Sequence, residues 1–180
     1  MKPGGAEELT IEALTDRLGP GERLLGLDLG EKTVGLALSD VERRIATAFR
    51  TLPRRKFRED WAELSAIIAQ HRVAALVLGL PLNMDGSSGP RVQATRTYAR
   101  NIRQVSPIPI LFWDERLSTV AAERALLSVD LSRAKRAAII DATAAAFILQ
   151  GVLDRLRHET RRIAQEEAAR EDGAQEEGEA

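Results

Sequence analysis

The chain has no cysteine. That excludes a disulfide framework, a thiol nucleophile and a thiolate zinc site, and it suits a reducing compartment. Histidine is nearly as scarce, with two in the whole chain. His71 falls at a predicted helix end and His158 in a charged tail, so no imidazole cluster points to zinc. Aromatic residues are only 4% of the sequence, and Phe112, Trp113 and Tyr98 read as core. This favours recognition of shape and phosphate over base stacking. No apolar run reaches the roughly 18 residues that span a bilayer, and the opening MKPGGAEELT lacks the apolar stretch of a secretory leader. The expectation is a soluble, cytoplasmic protein of one domain, since 180 residues suffice for a proper core.

Charge of one sign is not missing; it is segregated. The formal net charge of −1 averages a basic middle, with 21 basic and 15 acidic side chains over residues 22–157, against acidic ends. Residues 1–21 carry 2 basic and 4 acidic groups, and residues 158–180 carry 3 and 8. A basic middle suits a phosphate-bearing partner, although Arg on exposed helix faces also serves solubility alone.

The apolar pattern divides the chain in the same places. Residues 1–21 read as an N-terminal extension, with Leu9, Ile11, Leu14 and Leu18 at helical spacing before the breaker Gly19-Pro20-Gly21, appended to the core and not part of it. Residues 158–180, with no large apolar residue after Ile163, read as a frayed helix passing into disorder. Between them, LLGLDLG, VGLALSD and IATAFRTL are three short runs separated by turns, an antiparallel meander. Glu59 to His71 forms an amphipathic helix leading to AALVLGL, a continuous apolar run that suits a strand buried on both faces. The loop PLNMDGSSGP leads to a helix near Arg91 to Arg103, and PIPILFW makes a fifth strand. A helix near Thr119 to Leu127 follows, then a longer one capped by Ser132 and running to about Leu156. The order predicts a ribonuclease H-like α/β fold over 22–157, a mixed five-stranded sheet of three antiparallel and two parallel strands flanked by helices.

Three carboxylates stand out against this pattern. Asp28 lies between Leu27 and Leu29, and burying it is costly unless it is paired or binds a cation; a strand-end Asp capping a turn is the alternative. Glu115 and Asp114 follow the fifth strand, at the carboxyl edge where ligands collect in open α/β sheets. Alternation lets only one of them face the site. Glu115 is the choice and Asp114 its substitute, with a salt-bridged turn pair as the alternative. Asp141 shares a helix face with Ala137, Ala138, Ala144, Ala145, Ile148, Leu149 and Val152, so a cation or an Arg partner such as Arg116 is expected. Three carboxylates from separate elements suit Mg²⁺ or Mn²⁺. Two such cations about 4 Å apart can activate water and stabilise the leaving oxygen of a phosphodiester displacement, with no protein nucleophile.

Four blocks, LLGLDLGEKTVGLALSD, LVLGLPLNMDGSSGPR, LFWDERLSTVAAE and DLSRAKRAAIIDATAAAFILQGVLD, resemble the YqgF (RuvX-type) family in order and spacing across about Arg23 to Asp154. The resemblance implies a ribonuclease H-like nuclease of 5′-end maturation of small-subunit ribosomal RNA, a family earlier regarded as Holliday junction resolvases, with Mg²⁺ or Mn²⁺ as cofactor. It places the family's acids on Asp28, Glu115 and Asp141. It also draws in Asn83 and Asp85 of the loop, Arg116, Ser118 and Thr119, and the basic Arg133, Lys135 and Arg136; all of these but Asp85, together with Lys32 of the first hairpin, are the candidate nucleic-acid contacts. The implied partners are precursor 16S rRNA or branched DNA, and ribosomal precursor particles, with monomer and homodimer both open. Other readings remain: a four-way DNA junction as substrate, an ATP-binding protein using the Asp28 to Gly35 hairpin as a phosphate loop, or a silent nucleic-acid-binding module. Arg54, Arg55, Lys56 and Arg58 are further candidate backbone contacts.

Overall fold

The computed structural model describes residues 9–82, 85–114 and 133–178. Three strands come first, β1 (Arg23–Leu29), β2 (Thr33–Ser39) and β3 (Ala46–Pro53). They pair antiparallel in succession, as compact apolar runs joined by short turns demand. Helix α2 (Phe57–His71) carries the chain across to β4 (Val73–Leu80), which pairs parallel with β1. Helix α3 (Pro90–Val105), with Pro at its first position, leads to β5 (Ile110–Asp114), parallel to β4. The sheet order is β3-β2-β1-β4-β5, the mixed five-stranded arrangement expected from the sequence.

Alternation along the strands sorts the core into two layers. Leu25, Leu27 and Leu29 of β1 join Leu64 and Ile67 of α2 and Tyr98 and Ile102 of α3 on one face. Leu24, Ala37, Ala75, Val77 and Leu111 face the other way, toward Ala145, Ile148, Leu149 and Val152 of the long helix α4 (Arg133–Gly178). Central strands buried on both faces explain the near-continuous apolar runs of β1, β2 and β4.

Two features depart from the sequence reading. The N-terminal extension does contain a short helix, α1 (Ile11–Thr15), capped by Thr10, whose Oγ1 accepts from the Ala13 N–H at 3.2 Å. It is not merely appended, however. Leu9 and Leu14 are buried in the α4 layer, and the Leu9 N–H donates to the Ile110 carbonyl at 3.1 Å. The reason is that Leu153 and Leu156 leave an apolar flank on α4 that a second helix covers. At the other end, α4 continues to Gly178, through the stretch that reads as passing into disorder. Arg162 there donates to Glu159 and, at 2.5 Å, to Glu166. Such pairs one turn apart support a helix without buried apolar area. The helix expected near Thr119 to Leu127, and the proposed cap Ser132, lie outside the described residues.

Candidate active site

The candidate site lies at the carboxyl edge of the three parallel strands. Asp28 is the penultimate residue of β1 and only 4% exposed. It sits on the same side of its strand as Leu24 and Gly26, the side that meets α4. Its cross-strand partner is Gly35, and that glycine determines how close α4 comes. A Cβ built at Gly35 would lie 2.0 Å from the Asp141 carbonyl oxygen and 2.9 Å from the Ala142 nitrogen. No residue larger than glycine fits there without moving the helix. One repeat down the sheet, Gly26 admits the Ala145 carbonyl and the Leu149 side chain in the same way. Helix α4 is thus seated on two glycines, and the backbone of Asp141 rests on Gly35, the cross-strand partner of Asp28.

Thr33 completes this part of the site. Its Oγ1 donates to Oδ2 of Asp141 at 2.6 Å, a charge-assisted bond that restricts the carboxylate's orientation. Nothing in the local sequence singles out Thr33. Its signal was alternation alone, since Thr33 stands two residues before Gly35 and therefore on the α4 side of β2. The hairpin between β1 and β2 is tight, with the Gly30 N–H donating to the Thr33 carbonyl at 2.9 Å, and it exposes Lys32 at its tip.

Asp114 is the last residue of β5 and pairs with Leu80. Leu111 and Trp113 pack with α4, whereas Ile110 and Phe112 pack with the α2 and α3 layer. Asp114 therefore falls on the side opposite Asp28, as the alternation argument required of one member of the Asp114-Glu115 pair. Glu115, Arg116, Ser118, Thr119 and Asn83 lie outside the described residues. Asp85, in the loop after β4, accepts the Ser87 N–H at 2.9 Å, a local turn. Among the described residues no group of three potential metal ligands occurs. Asp28 and Asp141 supply two carboxylates, and the third candidate lies beyond β5.

The basic residues separate by placement. Arg133, Lys135 and Arg136 occupy the first turns of α4. The helix passes the Gly35 level at Asp141 and reaches the far edge at Gln150, which receives the Ala46 N–H at 2.9 Å. Arg133 to Arg136 thus stand past the edge that carries Asp28. Arg54 and Arg55, by contrast, are engaged within the protein, Arg54 with the Gly30 carbonyl and Arg55 with Glu63.

Residues 22–155 match the model of the family described as RuvX: Holliday junction resolvase. The chain belongs to the RuvX family. A relative from Rhodobacter capsulatus named "Putative pre-16S rRNA nuclease" is 61% identical over 135 residues, 75% of this chain and 85% of that one. One of the same name from Cereibacter sphaeroides is 65% identical over 133 residues, 74% of this chain and 83% of that one. Among solved structures, T. thermophilus RuvC in complex with Holliday junction substrate aligns with a TM-score of 0.47 at 13% identity, over 75% of this chain and 96% of that chain. No helix among the described residues of this RuvX-family chain is long and apolar enough to cross a membrane.

Proposed function

We propose that this RuvX-family protein is a divalent-metal-dependent nuclease that hydrolyses phosphodiester bonds in the 5′-end maturation of precursor 16S rRNA, in the cytoplasm and on ribosomal precursor particles. The observation that carries the reading is the buried Asp28 paired with Gly35, the residue on which the backbone of Asp141 rests, in a chain with close relatives named for that activity. Carboxylates carried to the same strand edge by β1 and α4 offer hard oxygens of the kind a divalent cation takes.

The donor set fits Mg²⁺ or Mn²⁺. Asp28 and Asp141 offer hard carboxylate oxygens, and neither cysteine nor histidine stands among them. Glu115 is the third ligand; Asp114 is disfavoured as its substitute because it occupies the other side of β5. When bound, the metal supplies an activated water and stabilises the leaving oxygen. The protein's own residues do the rest. Thr33 holds Asp141 by its Oδ2, the glycines seat α4, and burial of Asp28 strengthens its interaction with a cation. Lys32, Arg133, Lys135 and Arg136 contact the phosphate backbone around the site, joined by Asn83, Arg116, Ser118 and Thr119 from the adjoining segments.

The test is cleavage of precursor 16S rRNA with Mg²⁺, with Mn²⁺ and with chelator, beside a four-way DNA junction in the same buffers. Metal-dependent cutting of the RNA, lost in a folded Asp28→Asn variant, is expected. Cutting of the junction alone would move the substrate to branched DNA, as the family's description suggests. An Asp28→Asn variant as fast as wild type would remove the mechanism altogether.

A further inference from the structure

By sequence Arg54 is a candidate phosphate contact, yet its position in the fold assigns it different work. It follows directly on β3, and its contacts converge on the hairpin that separates Asp28 from Thr33. Its backbone N–H donates to the Lys32 carbonyl at 2.8 Å, and its guanidinium Nη1 donates to the Gly30 carbonyl at 2.9 Å. The guanidinium also lies over the ring of Tyr98, 6.0 Å from its centroid. Tyr98 is itself buried in the core and packed edge-on against Phe57 at 5.6 Å. Arg54 therefore links a buried aromatic in α3 to both limbs of the turn in which the Gly30 N–H donates to the Thr33 carbonyl.

The residue that follows the turn is Thr33, the donor to Asp141. The residue two before Gly30 is Asp28. A hairpin free to rock would carry both with it. We propose that Arg54 is a positioning residue for the carboxylate site: by clamping the Gly30 and Lys32 carbonyls it fixes the turn, and through Thr33 it fixes the orientation in which Asp141 meets a divalent cation. This rests on the metal-dependent reading above.

Arg54→Lys separates the possibilities, because it keeps the positive charge but loses the planar fork and its stacking on Tyr98. Arg55→Gln, which removes a guanidinium paired with the exposed Glu63, serves as the control. Three quantities are read on the folded protein: Mn²⁺ affinity by calorimetry without nucleic acid, amide exchange at Gly30 and Thr33, and kcat and KM for RNA cleavage. Positioning predicts that Arg54→Lys weakens Mn²⁺ binding by about tenfold, within the range for lost outer-shell partners of a metal site. Exchange at Gly30 should accelerate, and kcat should fall with KM unchanged, whereas Arg55→Gln moves neither Mn²⁺ affinity nor exchange. A phosphate contact predicts the reverse, with Mn²⁺ affinity and exchange intact in Arg54→Lys and any loss confined to KM and its salt dependence; that result overturns the proposal. A lowered melting temperature with unchanged Mn²⁺ affinity also overturns it. If the wild type binds no Mn²⁺, the metal reading has failed on its own account. In that case unchanged exchange at Gly30 and Thr33 in Arg54→Lys would still reject the clamp, and faster exchange would retain it.

Discussion

Replacing Gly35 by alanine tests how α4 is seated and whether that seating governs the site. The added Cβ would lie 2.0 Å from the carbonyl oxygen and 2.3 Å from the carbonyl carbon of Asp141. These are backbone atoms in the middle of a helix, so no side-chain rotation relieves the overlap. To reach even 3.0 Å, the shortest separation real Cβ atoms show, the helix must withdraw by about 1 Å. Overpacking of this kind costs about 1–3 kcal/mol, and this contact belongs at the upper end because it involves backbone. For a domain of this size, about 3 kcal/mol lowers the melting temperature by roughly 6–12 °C. Displacing a catalytic group by 1 Å can cost about a hundredfold in rate, and the 2.6 Å bond from Thr33 to Asp141 would be stretched or broken as well. Thermal unfolding followed by circular dichroism, and cleavage assayed well below the transition, should show both losses. Gly26→Ala provides a scale, since its Cβ would meet Ala145 and Leu149 at 2.8 Å and should destabilise less. A Gly35→Ala protein melting within about 1 °C of wild type and cleaving at full rate would refute the reasoning, because it would mean that α4 is not held where the glycine places it.

Other expectations follow from the same geometry. Thr33→Val removes the donor to Asp141 Oδ2 and should lower cleavage by about tenfold, while Thr33→Ser restores it; equal activity in both variants would show the bond to be idle. The Tyr98 hydroxyl is pushed up to about 12, first by burial and then by the nearby Asp60 carboxylate, with Arg54 opposing. A phenol whose folded value exceeds its unfolded value of 10.0 adds stability below pH 10 that is lost as pH rises through 12. About 2–3 kcal/mol is at stake, so denaturant titrations between pH 9 and 12 should show a decline that Tyr98→Phe flattens. Replacing Arg133, Lys135 and Arg136 together by Gln should weaken RNA binding and reduce the slope of log K against log salt by about 2; unchanged binding would return these residues to a solvated helix face.

Much of this was legible from local pattern, because strands and helices announce themselves through the period of their apolar residues. The five strands, α2 and α3 follow from that period and from breakers such as Gly89-Pro90. Asp28 and Asp141 stand out for one reason, that each is a charge set in apolar surroundings, and burial of an uncompensated charge is costly wherever the chain goes. Even the division of labour between Asp114 and Glu115 can be posed in sequence terms as strand alternation.

What sequence alone could not decide depends on which distant segments meet. Thr33 and Asp141 are 108 positions apart, and nothing near either residue names the other. Gly35 reads in the sequence as the end of a hairpin open to a phosphate, and its need to be glycine comes from a helix that arrives more than a hundred residues later. Arg54 reads as one of a basic cluster until the fold turns it inward onto Gly30 and Tyr98. The N-terminal extension reads as an appendage because its partner, the flank of α4 around Leu153 and Leu156, lies at the other end of the chain. Composition and periodicity determined the elements and the two most conspicuous acids, since these obey local rules of propensity and burial. The tertiary structure decided their neighbours, because close approach, register and hydrogen-bond partners are set by topology, a non-local property of the chain.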